Sequence, residues 1–292
     1  MRAPSISRVP APALVVGAVV SVQVGSAIAK TAFDEIGANG VTFYRLAVSG
    51  ALLMALTRPR LRRWTRAQWG SAALLGLTMG AMNITFYLAI RTVPLGVAVT
   101  LEFLGPLCVA LFQTRRLRDL GWVLLAAGGV GLLGLDDRTG PLLATGLVWA
   151  ALAGAFWGLY ILASARVGRL VPGLDGLAVA LVVSTLLAAP FGVHGAVRGL
   201  DQPLVVATGV TVALLSSVIP YALELTALRR LPTRVFGVLM SLEPAAAALS
   251  GFVLLGQALG SAELAALALV SIASLGVTLG RRDKDPPVQP LE

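Results

Sequence analysis

Two residue types that build many active sites are almost missing from this chain, which has one cysteine and one histidine in 292 residues. A lone Cys108 excludes an intramolecular disulfide and a cysteine-rich metal site. A lone His194 excludes paired-histidine ligation and reads as a solvated loop residue. No Gly-x-x-x-x-Gly-Lys loop cradles a phosphate and no Gly-x-Ser-x-Gly elbow presents a nucleophile, so neither ATP hydrolysis nor proteolysis is indicated. Charged residues are also scarce, at 13% of the chain, too few to cover a soluble surface. The chain is expected to be no enzyme, with no cofactor and no metal.

What is abundant is apolar sequence, 57% of all residues. It falls into ten stretches, 12–29, 40–56, 69–90, 95–112, 120–135, 142–165, 177–193, 204–228, 235–255 and 264–279. Most approach the ~20 residues a helix needs to cross ~30 Å of hydrocarbon, and 120–135 is the shortest. They are continuously apolar rather than alternating with period two, which selects helices over a transmembrane barrel. Every Lys and Arg except Lys30, Arg45, Arg91, Arg138 and Arg198 lies in a tail or in an even-numbered gap. The positive-inside rule then puts both termini in the cytoplasm, and ten crossings close the count. A net charge of +9 is therefore topological, and without a basic stripe interleaved with aromatics no nucleic-acid partner is expected. Arg2 and Arg8 before an apolar run ending Ala27-Ile28-Ala29 imitate a secretory signal, but nine further spans and an even count argue for a retained first helix.

The chain also repeats itself. Pro94 and Pro106 meet Pro232 and Pro244 at one offset, since 232 minus 94 and 244 minus 106 are both 138. At an offset of 135, Val48, Ser49 and Leu52 meet Val183, Ser184 and Leu187. The reading is two five-helix halves, 1–138 and 139–282, followed by a cytoplasmic tail, 283–292. Five crossings are odd, so the second half enters the membrane from the opposite side. The expected fold is all-α and integral to the membrane, ten transmembrane helices in two inverted repeats, an arrangement typical of carriers with a site near the midplane.

Charges at mid-bilayer cost at least ~2.5 kcal/mol, so those present need a partner, a wet cavity or a task. Glu102 lies about 10 Å into its span and Glu243 near the middle of its own, each closely followed by a proline, Pro106 and Pro244. Proline frees the carbonyl four residues earlier and can open the helix beside the carboxylate, which makes Pro94, Pro106, Pro232 and Pro244 candidate hinges. Glu224 shares a helical face with Ser217 and Tyr221, Arg45 with Thr42 and Ser49, and Gln23 with Ser26 and Lys30. These stripes are expected to point inward together. Blander readings stand beside them. Lys30 and Arg45 can snorkel to an interface, Glu224 can pair with Arg229 or Arg230, and Gln23 and Asn83 can be interhelical glue. Trp149, Trp157, Tyr160, Tyr44 and Tyr87 read as belt or packing residues, and Gly76 with Gly80, or Gly128 with Gly131, as points of close helix contact.

The runs 92–107, Thr-Val-Pro-Leu-Gly-Val-Ala-Val-Thr-Leu-Glu-Phe-Leu-Gly-Pro-Leu, and 231–245, with its Leu242-Glu243-Pro244, resemble the fourth-helix region of EamA-type carriers in the drug/metabolite transporter superfamily. With Gly40-Val41-Thr42, Arg45-Leu46-Ala47 and Met82-Asn83 the resemblance is to the bacterial threonine and homoserine exporter branch. It implies an inner-membrane location and efflux of small amino acids exchanged for protons. One departure is visible, Gly256-Gln257 where many relatives carry Gly-Glu.

On this reading the partners are a small amino acid or similar polar metabolite, protons, membrane lipid and, in a homodimer, a second copy of the chain. A zwitterion needs an acceptor charge for its ammonium and a donor for its carboxylate. Glu243 or Glu102 is expected to take the ammonium, Arg45 with Gln23 or Asn83 the carboxylate, and Tyr221 completes the candidate substrate site. Glu243, Glu102 and Glu224 are the candidates for proton coupling. The alternatives are an importer or exchanger of another polar metabolite, and a membrane scaffold that transports nothing.

Overall fold

The computed structural model describes residues 9–114, 120–134, 141–228, 230–231 and 233–280, and all regular elements among them are helices. In order they are α1 (Ala11–Thr31), α2 (Phe33–Thr57), a 3-10 turn (Leu61–Arg63), α3 (Arg66–Ile90), α4 (Leu95–Glu102), α5 (Leu104–Thr114) and α6 (Leu120–Gly134). The second part contains α7 (Pro141–Leu170), α8 (Asp175–Arg198), α9 (Pro203–Ala213), a π-helical segment (Leu214–Val218), α10 (Ile219–Leu228), α11 (Thr233–Met240), α12 (Glu243–Leu255) and α13 (Ser261–Gly280). Helix is the solution that lipid imposes, because it satisfies each backbone donor and acceptor within the segment.

Among the described residues, seven stretches are long and apolar enough to cross a membrane: Ala11–Thr31, Phe33–Thr57, Arg66–Ile90, Ala144–Leu170, Asp175–Arg198, Pro203–Glu224 and Val235–Leu255. The remaining three stretches of the sequence count fall on shorter apolar helices, Leu95–Val109, α6 and Ser261–Gly276. Large apolar side chains point outward along these helices, with Leu204 79% and Leu124 71% exposed. In water such a surface would associate; in a bilayer it faces acyl chains, and the chain is a multi-pass membrane protein.

Helix ends depart from the apolar boundaries. The gap expected over 30–39 is almost entirely helical, with only Ala32 between α1 and α2, and the chain turns instead at Gly37, where φ is 74° and ψ 160°. Asp34 and Glu35 sit in the first turn of α2, where the helix dipole favours negative charge. Hydropathy registers the transfer of side chains, whereas helix limits follow backbone hydrogen bonding, so the two diverge wherever a polar turn stays helical. His194 is exposed as expected, but lies inside α8 rather than in a loop.

Packing relates one part of the chain to the other. α2 lies on α8, α4 on α12, and α6 on α13, while α1 packs against α10 and α3 against α7. Glycine permits the closest approaches: a Cβ at Gly76 would overlap the Ala180 carbonyl and the Val183 side chain, and Ser184 Oγ donates to the Gly76 carbonyl at 2.7 Å. Gly80 meets Ser184 in the same seam. The second expected glycine pair is displaced by one position: a Cβ at Gly128 or Gly131 would meet nothing within 4 Å among the described residues, and Gly129 makes the contact with Ala266 and Leu269. One residue along a helix is a rotation of about 100°, enough to change the face.

Candidate functional site

Glu102 closes α4 and Glu243 opens α12, so both buried carboxylates stand at helix breaks. The interruptions fall at Phe103 and at Ser241–Leu242. Each lies just ahead of a proline, Pro106 or Pro244, which lacks the N–H that would bond the carbonyl of Glu102 or Met240. The Glu102 carbonyl is accommodated by Gly154 of α7, where a Cβ would come within 2.8 Å of it, and Gly105 presses closer still on the Gly154 carbonyl. Prolines thus make the break, and glycines let a neighbouring helix close over it.

Between these breaks lies a cavity of about 470 Å³, a size suited to small-molecule binding. Gln23, Arg45, Asn83, Glu102, Tyr221, Glu224 and Glu243 all line it. Their helices are α1, α2, α3, α4, α10 and α12, so residues scattered over more than 200 positions converge on one space. The charged groups and the Tyr221 phenol close into a ring. Arg45 is within electrostatic reach of Glu102 and Tyr221, Glu243 of both Glu102 and Glu224, and Tyr221 of Glu224. Phe103, Leu107, Trp157 and Phe236 give the cavity an apolar wall.

Arg45 is 7% exposed and does not snorkel. Its Nε donates to Ser217 Oγ at 3.2 Å, Nη2 to the Ser216 carbonyl at 2.7 Å, and Nη1 to Tyr87 Oη at 3.4 Å, with the guanidinium 5.7 Å from the Tyr87 ring centroid. The carbonyl it grips belongs to the π-helical segment, a widened turn of a kind frequent at functional sites. Ser21 and Ser49 support the same stretch by donating to the carbonyls of Leu215 and Ala213 at 2.7 and 3.3 Å. Gln23 Oε1 is fully enclosed without a hydrogen-bond partner, as is Ser216 Oγ. Asn83 donates to the Met79 carbonyl one turn back, at 2.8 Å.

The expected hinges have separate fates. Pro106 lines the cavity and Pro244 is buried in the first turn of α12, beside Glu243. Pro94 caps α4 away from the cavity, next to Leu95, whose N–H donates to Gln257 Oε1 at 3.0 Å. Gln257 therefore ties the end of α12 to the start of α4 without the charge that a glutamate would bring there. Pro232 lies outside the described residues, as does Arg229. Arg230 is exposed and donates to the Val9 carbonyl at 3.5 Å. Lys30 Nζ donates to the Val93 carbonyl at 3.5 Å and takes no part in lining the cavity, although Gln23 and Ser26 on its stripe do.

Of the aromatics read as belt or packing residues, Tyr87 is packed, fully buried against Arg45, whereas Trp157 and Tyr160 line the cavity. The signal was present: Trp157, Tyr160, Ile161 and Ser164 follow helical spacing, and all four face the cavity from α7.

Comparison with known proteins places this geometry. The model of the EamA-like transporter family matches residues 10–135 and again residues 144–279. The chain belongs to the EamA-like transporter family. This EamA-like protein is 43% identical over 276 residues to the threonine/homoserine exporter RhtA of Escherichia coli (strain K12), covering 94% of this chain and 93% of that one. The protein of the same name from Salmonella typhimurium (strain LT2) is 42% identical over 273 residues, 93% of this chain and 92% of that one. A solved crystal structure shares the fold at 20% identity, with a TM-score of 0.56 over 91% of this chain and 96% of that chain. Family and relatives are transporters, so this EamA-like protein is not an enzyme.

Proposed function

We propose that this protein exports small amino acids of the threonine and homoserine type from the bacterial cytoplasm in exchange for protons, by alternating access in the inner membrane. The names of its relatives support the substrate class and the direction. The observation that carries the mechanism is the ring of Arg45, Glu102, Glu243, Glu224 and Tyr221 around one cavity. Three carboxyls face one guanidinium there, so full ionisation leaves negative charge uncompensated in an apolar setting. A proton or a substrate ammonium each supplies one compensating positive charge. If only one of the two is accommodated at a time, loading the amino acid from the cytoplasm expels the proton, and loading a proton from outside expels the amino acid. The substrate carboxylate docks on Arg45, assisted by Gln23 or Asn83, and its ammonium on Glu243 or Glu102.

Alternating access rests on the two halves, 1–138 and 139–282. The repeated family match, the pairing of α2 with α8, α4 with α12 and α6 with α13, and helix breaks at Phe103 and Ser241 that keep the 138-residue offset all support a pseudo-two-fold relation. Counting α4 with α5, α9 with α10 and α11 with α12 as single crossings gives ten, five per half and opposite in direction, with Pro94, Pro106, Pro232 and Pro244 at the hinges. With the arginine-rich gaps in the cytoplasm, the cavity reaches down to Ser164, Glu224 and Thr278, while Tyr87, Ile90 and Leu95 on the outer side are fully buried. That arrangement corresponds to an inward-facing state.

Purified protein in proteoliposomes, carrying Glu243→Gln or Glu102→Gln, tests the mechanism through labelled threonine flux with and without a pH gradient. At least one variant is expected to lose the dependence of flux on the gradient. Proton-driven exchange retained by both removes Glu243 and Glu102 as the essential proton carrier.

A further inference from the structure

The ionic groups of the ring account for the ammonium and carboxylate that every amino acid carries, so they cannot by themselves distinguish one side chain from another. What remains in the cavity is a neutral polar corner. Tyr160 and Ser164, one turn apart on α7, line it together with Tyr221 of α10. Tyr221 Oη in turn donates to Met79 Sδ at 3.7 Å. A thioether is a weak acceptor, so the phenol is a donor held against a poor partner while its residue faces the cavity. Tyr221 is also within electrostatic reach of Arg45, the group assigned to the substrate carboxylate.

We propose that Tyr160 and Tyr221, with Ser164 behind them, form a specificity subsite that hydrogen-bonds an alcohol on the substrate side chain. The inference rests on the amino-acid export reading above. A neutral donor and acceptor pair suits an alcohol, which both gives and accepts a hydrogen bond and carries no charge to add to the ring. An apolar side chain of similar size would leave Tyr221 with only its weak thioether acceptor, and sites built to bond a hydroxyl reject analogues that lack one. Phe103, Trp157 and Phe236, which line the same cavity, receive the methylene or methyl part of the same side chain. Threonine and homoserine, the substrates named for the relatives, both carry such an alcohol.

The test compares flux of homoserine with flux of 2-aminobutyrate, the deoxy counterpart of both alcohols, in proteoliposomes containing wild type, Tyr160→Phe, Tyr221→Phe or the double variant. The ratio of kcat/KM for the two substrates is the readout, because a purely structural defect lowers both alike. Wild type is expected to prefer homoserine, and the double variant to lose about tenfold of that preference, the size of one neutral hydrogen bond. Equal losses for both substrates, or an undiminished preference in the double variant, overturn the subsite and leave the export reading standing. A wild type that moves neither amino acid refutes the export reading itself, and the subsite with it.

Discussion

Arg45→Lys keeps the positive charge of the ring and removes its geometry, and the structure sets the size of the effect. A guanidinium has five N–H groups, and three are engaged by Ser217 Oγ, the Ser216 carbonyl and Tyr87 Oη, which leaves two for a substrate carboxylate. An ammonium has three donors on one atom. Its best protein partner would remain the Ser216 carbonyl, now 2.7 Å from Nη2, and a single point cannot then also offer a parallel pair to a carboxylate. The net loss is about one charge-assisted hydrogen bond, roughly 1.5–3 kcal/mol, equivalent to a rise of about 10- to 150-fold in apparent KM. The assay is initial rate against homoserine concentration in proteoliposomes, with melting temperature measured in parallel to separate binding from folding. An apparent KM within twofold of wild type would show that Arg45 does not take the carboxylate, and that its bonds to the π-helical segment serve structure alone.

Other consequences concern the scaffold. Gly105→Ala would drive a methyl into the Gly154 carbonyl, and overpacking at backbone contacts costs about 1–3 kcal/mol, so melting temperature in detergent should fall by several degrees. Gly128→Ala, with nothing within 4 Å, should shift it slightly upward, because alanine is the better helix former; a fall as large as that of Gly105→Ala would contradict the packing described. Gly37→Ala has open space but a backbone conformation reserved for glycine, so its penalty of roughly 1–3 kcal/mol is purely conformational and should appear as a lower melting temperature. An unchanged Gly37→Ala would mean that the turn at Gly37 within α2 takes a different shape.

How much was legible beforehand follows from which physical signal each feature leaves. Glu102, Glu243 and Arg45 announced themselves because a charge in an apolar run is costly enough to need a reason, and all three line the cavity. Tyr160 and Trp157 did not, since an aromatic in a membrane span is ordinary and only its neighbours reveal whether it faces lipid or a cavity. The Gly128 and Gly131 pair was chosen by spacing, and spacing fixes neighbours on a helix without fixing which face meets another helix. The turn at Gly37 was hidden under a polar stretch that hydropathy reads as a loop.

Composition and the order of residues were sufficient to determine a helical membrane protein and its family, because burying this much apolar surface and satisfying every backbone group in lipid leave few alternatives. The prolines that follow each break and the carboxylates beside them were equally written into the chain. Tertiary structure alone decided that the three glutamates, one arginine and two tyrosines share a single space, that the guanidinium is held by a π-helical turn, and that Tyr221 faces a sulfur. Those are contacts between residues far apart in sequence, set by the rotation of each helix about its axis, and no local pattern encodes that angle.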